Sequence, residues 1–405
     1  MQLKLAWRNL WRNKRRTYIT IASITFAVFF ACIMLSMQSG TYDRMIDNTV
    51  RFQTGYIQLQ KQGYWDEKTL NNSMELKDSL LKAVENTQLV STVAPRLQSF
   101  ALASYKEKTK GAFVIGTDPA QENKITNLKS KLIEGAYLQT GTSGVLIAKG
   151  LADYLNLGVH DTLVMISQGF RGANSVGKYP VAGIIKIPSP ELNNQAIYMP
   201  LAEAQYFYAA TSRITALAIM VPEPDDMKVA QKNLEEKFGD TYDIMSWREM
   251  MPELVQNIEL DRVSSQIMMY ILYAVIAFGI FGTFLMMTSE RHYEFGILVS
   301  IGMKRFKLMV VMLAETILMG ILGVLAGCLL SFPILLYFYN NPIEMGGKYA
   351  KVYEQFGLEP ILPFSLDPQI FIKQAIVVLI ISLLIGIYPL IKIWQLNTAI
   401  AIRNK

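Results

Sequence analysis

A chain of 405 residues that is 51% hydrophobic and 18% charged carries less charge than a typical soluble domain. Its net charge of +6 is gathered in short segments beside apolar runs, which records membrane orientation and gives no case for nucleic-acid binding. The only two cysteines, Cys32 and Cys328, both fall in apolar runs, which excludes a disulfide framework outside the membrane.

The opening Leu3-Lys4-Leu5-Ala6-Trp7-Arg8-Asn9-Leu10-Trp11-Arg12 mixes apolar and basic residues with helical spacing. It predicts an interfacial helix over residues 1–16 on the inner leaflet, with Trp7 and Trp11 on one face. An apolar run at 18–37 follows and predicts a first transmembrane helix over 17–38. It is too long for the core of a signal peptide, and Ser36-Met37-Gln38-Ser39-Gly40 makes a poor cleavage site, so an uncleaved anchor is expected.

Residues 39–265 read as an extracytoplasmic domain of mixed α and β. Strands are expected at 52–60, 97–105, 112–115, 144–147, 161–166, 181–187, 196–199, 214–221 and 242–245. Helices are expected at 75–85, 148–155 (ended by Gly158) and 225–238. The early and late pieces suggest one porter-like subdomain, with a second lobe inserted at about 118–212. Gly172 to Tyr179 matches the phosphate-binding pattern GxxxxGK, but Tyr179 replaces the hydroxyl residue that holds magnesium. Pro180 and a strand-like run follow where a helix should receive the phosphates, so a glycine-rich hairpin loop is the better reading. His160 and His292 are the only histidines, and no metalloprotease, nucleophile-elbow or Cys/His cluster pattern occurs, so no catalytic, cofactor or metal residues are assigned.

Residues 266–405 hold three more apolar runs, at 267–288, 308–339 and 370–394, with Phe332-Pro333 expected to end or kink the second of them. The fold class expected is thus an α-helical membrane protein with four transmembrane helices plus a large mixed α/β extracytoplasmic domain. Between two of the spans lies SERHYEFGILVSIGMKRFK, residues 289–307. Phe295, Ile297, Leu298 and Ile301 can face the apolar side of a surface helix there, while Glu290, Arg291, Glu294, Lys304 and Arg305 stay wet. Such a helix is placed to be pushed by a cytoplasmic partner. Residues 1–16 hold six basic and no acidic residues, and 289–307 hold four basic and two acidic. Residues 39–265 hold 23 basic and 26 acidic. Both termini and the 289–307 loop are therefore expected inside. Glu315, in the third span, is either a functional group or a hydrogen-bonding structural acid near the inner interface. Gly320, Gly323, Gly327, Gly279 and Gly282 permit close helix packing.

Glu290-Arg291-x-x-Glu294-Phe295-Gly296-Ile297-Leu298-x-x-Ile301-Gly302 resembles the signature of the FtsX-like ABC permeases, the MacB and LolC/LolE group. Glu315, Gly320, Gly327, the Tyr388-Pro389…Ala401-Ile402-Arg403 close and the order of one span, outer domain and three spans fit the same pattern. The chain departs from it at Asn397-Thr398, where a proline often stands. The resemblance implies a mechanotransmitting permease that itself hydrolyses no ATP. Its implied partners are a cytoplasmic ABC ATPase dimer, which holds the ATP-Mg, and a second permease subunit of the same or a related chain. Glu290, Arg291, Glu294, Phe295, Gly296, Ile301 and Gly302 would couple to the ATPase.

Thr54-Gly55-Tyr56-Ile57-Gln58-Leu59 with Gly63-Tyr64-Trp65 is similar to the lipoprotein-releasing branch, in a bacterial inner membrane. Phe26, Phe30, Met34, Met37, Met268, Met269 and Tyr273 offer adaptable surface toward the outer ends of two spans, suited either to acyl chains or to helix packing. Release of lipoproteins to a periplasmic carrier, regulation of a cell-wall hydrolase, and export of a peptide or drug through an adaptor remain as readings. Membrane lipids are partners in each. Single cysteines at Asn71 and Asn193, in a background lacking Cys32 and Cys328, should react with a membrane-impermeant reagent in intact cells, and one at Lys304 should not. Labelling at Lys304 equal to that at Asn71 would overturn the orientation.

Overall fold

The computed structural model describes residues 2–12, 14–141, 143–348, 350 and 360–396. The close at Asn397-Thr398 and Ala401-Ile402-Arg403 lies outside them. The chain divides into two compact units: residues 1–43, 258–344 and 361–405, and residues 44–257 with 345–360.

The first unit is helical. It comprises α1 (Gln2–Arg12), the start of α2 (Lys14–Gln53), most of α3 (Pro252–Glu290), α4 (His292–Ser300), α5 (Arg305–Asn340) and α6 (Pro368–Trp394). Four of these, α2, α3, α5 and α6, are long and apolar enough to cross a membrane. Close approach is built from small residues. A Cβ on Gly323 would fall 2.6 Å from Ile24, and one on Gly327 would fall 2.7 Å from Val28, so α2 and α5 pack nearly backbone to backbone. Gly279 and Gly282 face open space, so the expectation of close packing at those two is corrected. Nor does Phe332-Pro333 end the third span, because α5 runs through Pro333 to Asn340.

α2 and α3 are 40 and 39 residues long. At 1.5 Å per residue each measures about 60 Å, roughly twice the apolar thickness of a bilayer. The expected strand at 52–60 is therefore corrected at its start. The helix continues to Gln53 and ends because Gly55 takes a left-handed conformation (φ +74°) and its amide donates to the Val50 carbonyl at 2.7 Å.

The second unit is a ten-stranded sheet. Its strands are β1 (Ile57–Lys61), β2 (Thr92–Tyr105), β3 (Lys108–Thr117), β4 (Leu132–Gly135), β5 (Val145–Ala148), β6 (Thr162–Gln168), β7 (Asn174–Ile185), β8 (Ala196–Pro200), β9 (Ala216–Met220) and β10 (Tyr242–Ser246). They lie in the order β10-β1-β9-β2-β3-β8-β5-β7-β4, with β6 paired to β2 and β7. The β3–β8 and β5–β7 pairs are parallel and the rest antiparallel. Helices Lys149–Leu155 and Leu201–Phe207 cover one core, which holds Leu97, Val114, Leu151 and Phe207. Ile115, Leu146, Tyr198 and Phe52, from the last turn of α2, form another. Asn156 in a left-handed turn, not Gly158, ends the helix at Leu155. The Gly172–Lys178 segment is a short 3-10 turn running into β7, with Gly177 and Lys178 paired to Met165 and Val164 and Tyr179 buried. No helix N-terminus follows it.

One charged pair stands inside this unit. Arg96 on β2 and Glu122 are both wholly buried and joined by two bonds, Nε to Oε2 at 2.9 Å and Nη2 to Oε1 at 2.7 Å. The same guanidinium donates to the carbonyls of Arg51 (3.0 Å) and Gln53 (3.2 Å) at the end of α2. Those carbonyls have no partner within the helix and carry the negative end of its dipole, so a cation there satisfies both needs.

Candidate functional site

The 289–307 segment is three pieces. α3 ends at Glu290, Arg291 makes a turn, and α4 covers His292–Ser300. α4 ends at Ile301. Gly302 then takes φ +103°, with its amide bonded to Val299 O (3.1 Å) and the Met303 amide to Leu298 O (3.0 Å). This pair of crossed bonds closes a helix with a left-handed residue, a conformation that costs a side-chain-bearing residue about 1 kcal/mol or more. Gly302 is thus required by the exit from α4.

Arg291 departs from the wet position expected for it. It is buried, with Nη1 2.5 Å from Glu315 Oε2 and Nη2 3.4 Å from Oε1. The Asn9 amide of α1 donates to Glu315 Oε1 at 2.9 Å. Glu294, half-exposed, bonds Arg12 of α1 and lies 3.6 Å from Arg291 Nε. One carboxylate on α5 therefore gathers α1 and the α3–α4 turn. Phe295 and Gly296 are buried on the inner side of α4, with the Arg291 guanidinium 5.3 Å from the Phe295 ring centre. Ile301 is 79% exposed, and Phe306 and Tyr293 are exposed with it. With Gly302 reserved for the turn, this end of the unit presents apolar side chains to its surroundings over a buried ionic base.

The residues expected to line a cargo path divide. Phe26 and Phe30 are exposed and stacked at 6.3 Å, and Met268 is exposed, while Met34 and Met37 are half-buried. Met269 is buried in the unit, and the Tyr273 hydroxyl donates to the buried Gln374 at 2.8 Å. Burial of Met269 corrects its assignment as a lining residue, while Tyr273 stays half-buried. Among the described residues, no group of His, Cys, Asp and Glu could hold a metal ion. Asn9, Arg12 and the Arg96–Glu122 pair are residues that sequence reasoning alone does not isolate. The signals for them are the repeated Trp-Arg-Asn at 7–9 and 11–13 and an arginine set between the apolar residues Val93-Ala94-Pro95 and Leu97.

Residues 17–237 match the model of the MacB-like periplasmic core domain, and residues 266–398 match that of the FtsX-like permease C-terminal domain. The chain is an ABC-transporter permease of the LolC/MacB family. This LolC/MacB-family chain is 22% identical over 319 residues to the lipoprotein-releasing system transmembrane protein LolC of Neisseria meningitidis serogroup B, an alignment covering 77% of this chain and 75% of that one. It is 24% identical over 247 residues to LolC of Xylella fastidiosa strain 9a5c, covering 59% of each. Against the macrolide export ATP-binding/permease protein MacB of Acinetobacter baylyi, identity is 22% over 339 residues, and the chain spans 49% of that protein. Among solved structures, the periplasmic region of MacB from Actinobacillus actinomycetemcomitans shares 16% identity over 50% of this chain and 91% of its own, with a TM-score of 0.35.

The permease's ionic base sets an expectation. Removing one member of a buried pair strands the other, at a cost of about 3–5 kcal/mol, while replacing both with apolar groups is close to neutral. Arg291→Met and Glu315→Leu should each lower the melting temperature of the purified permease, and the double variant should recover most of the loss. Additive losses in the double variant would show that Arg291 and Glu315 act separately.

Proposed function

We propose that this permease works in a bacterial inner membrane with both termini cytoplasmic, paired with a second permease subunit and driven by a separate ABC ATPase dimer. ATP-Mg is held and hydrolysed in that partner. The exposed Ile301, Phe306 and Tyr293 offer the apolar contact that an ATPase groove would take. Phe295, Gly296 and the Arg291–Glu315 pair fix α4 to the helices behind it. The observation that carries the reading is α2. It is one helix from Lys14 to Gln53, joined at its start to α1, which reaches Glu315 and Glu294, and held at its end by Arg96. A push on α4 can therefore be passed along a helix about twice as long as the membrane is thick. The work is delivered in the outer unit, and no cargo needs to cross the bilayer core.

The cargo we propose is a lipid-anchored protein, taken from the outer leaflet and passed to a soluble periplasmic carrier. The Neisseria relative is named for lipoprotein release, and Phe26, Phe30 and Met268 present apolar surface on the first two spans. An acyl anchor resists leaving by about 0.8 kcal/mol per methylene, so extraction needs both an apolar route and an external energy source. Phe30→Asp and Met268→Asp should weaken lipoprotein binding severalfold while basal ATP hydrolysis of the assembled complex stays unchanged. The direct assay is ATP-dependent release of a lipid-modified protein from reconstituted vesicles in the presence of a carrier. No release, together with a cell-wall hydrolysis defect on loss of the chain, would replace this reading with the regulatory one.

A further inference from the structure

At the basic end of the helical unit, α2 and α3 enclose an open cleft of about 460 Å³, within the size range of small-ligand sites. Arg12, Lys14 and Arg15 stand at its rim with a single carboxylate, Glu290. The two helices run in opposite directions and keep a steady register. Tyr42 bonds Asp261 at 2.6 Å well up the pair, which sets Arg15 level with Glu290 at its base. One turn deeper, about 6 Å along each helix, the lining changes to Ile19 and Met286, both exposed. The hydroxyl-bearing Thr20 and Thr283 lie at the same depth or just beyond it. The cleft is thus layered, cationic at the level where the apolar runs begin and apolar one turn inside.

That layering has a chemical counterpart. We infer that the cleft binds the headgroup of an anionic phospholipid, with the phosphodiester among Arg12, Lys14 and Arg15 and the first acyl carbons against Ile19 and Met286. Against these three cations stand Glu290 at the rim and Glu294, which bonds Arg12, so the rim keeps a net positive charge that favours an anion over a zwitterion. The apolar floor separates a lipid from free phosphate, which gains nothing from Ile19 or Met286. Trp7, Trp11 and Tyr18 form an edge-to-face aromatic row nearby, with centres 5.8 and 6.0 Å apart, of the kind that settles at the headgroup level. Arg12 also bonds Glu294, so a bound headgroup touches the same side chain that ties α1 to α4. The site concerns the membrane in which the permease sits and is independent of which cargo it moves.

The test is lipid retention by the full-length permease purified with its partner subunits, read by native mass spectrometry. Phosphatidylglycerol and phosphatidylcholine of identical chains serve as probes. Phosphatidylglycerol should be retained roughly tenfold better, and Lys14→Glu/Arg15→Glu should erase that preference. Met286→Trp, which fills the floor without changing charge, should weaken retention of phosphatidylglycerol, and Lys14→Gln/Arg15→Gln serves if charge reversal prevents assembly. Lys307→Glu, a charge change outside the cleft, should have no effect, and millimolar inorganic phosphate should not displace the lipid. Equal retention of the two lipids, an equal effect of Lys307→Glu, or displacement by phosphate would overturn the inference. So would a cysteine at Met286 that cross-links to its neighbouring subunit, since the cleft would then be filled by protein.

Discussion

Burying a carboxylate inside a bundle of apolar helices costs several kcal/mol unless a cation and further donors meet it. Glu315 is placed in that position on α5, and the arrangement of this end of the helical unit follows from how its charge is met. Arg291 can reach it only because α3 stops at Glu290 and the chain turns before α4 begins. Asn9 can reach it only because α1 packs on α5. The ionic pair therefore ties the turn at Arg291, just before α4, to α5, and Asn9 ties α1 to the same carboxylate. Losing one partner strands a buried charge, whereas apolar replacement of both partners of such a pair commonly costs little.

The outer unit meets a similar demand with the same chemistry. A helix end leaves carbonyl groups without partners, and a buried helix end cannot leave them to water. Arg96 satisfies the carbonyls of Arg51 and Gln53, and Glu122 neutralises the arginine that does so. Because Arg96 lies within β2, in register with Thr117 of β3 and Ala216 of β9, the clamp joins the end of a transmembrane helix to the middle of the sheet. A ladder of neutral hydrogen bonds could close the same gap. The two bonds to Glu122 fix the guanidinium that makes those two carbonyl contacts.

Much of this was legible in the sequence, because membrane spans and alternating strands write their periods directly into residue order. The four apolar helices stand where the apolar runs place them, and each expected outer strand overlaps an observed one. Individual contacts were less legible. Arg291 reads as a wet residue on a helical wheel, because the wheel assumes a single helix through 289–307, whereas the chain turns at Arg291. Ile301 reads as apolar-face, and its side chain stands exposed at the C-terminal end of α4, where the chain leaves through Gly302. Phe52 belongs by composition to the strand that follows it. Its helical state is decided by Gly55, which sits where a helix can end, and by Arg96, more than forty residues away. Met269 and Phe30 are alike in composition and opposite in exposure, a distinction only the packing of the bundle makes.

The central claim is that motion at α4 reaches the outer sheet through α2 and its Arg96 clamp. The most direct measurement places spin labels at Glu107, on the exposed β2–β3 turn, in both permease subunits of the assembled complex, and follows their separation through the ATP cycle. The account predicts a nucleotide-dependent change in that distance that is lost or strongly reduced in Glu122→Gln, while ATP hydrolysis continues. An unchanged distance response in a correctly assembled Glu122→Gln complex would contradict it.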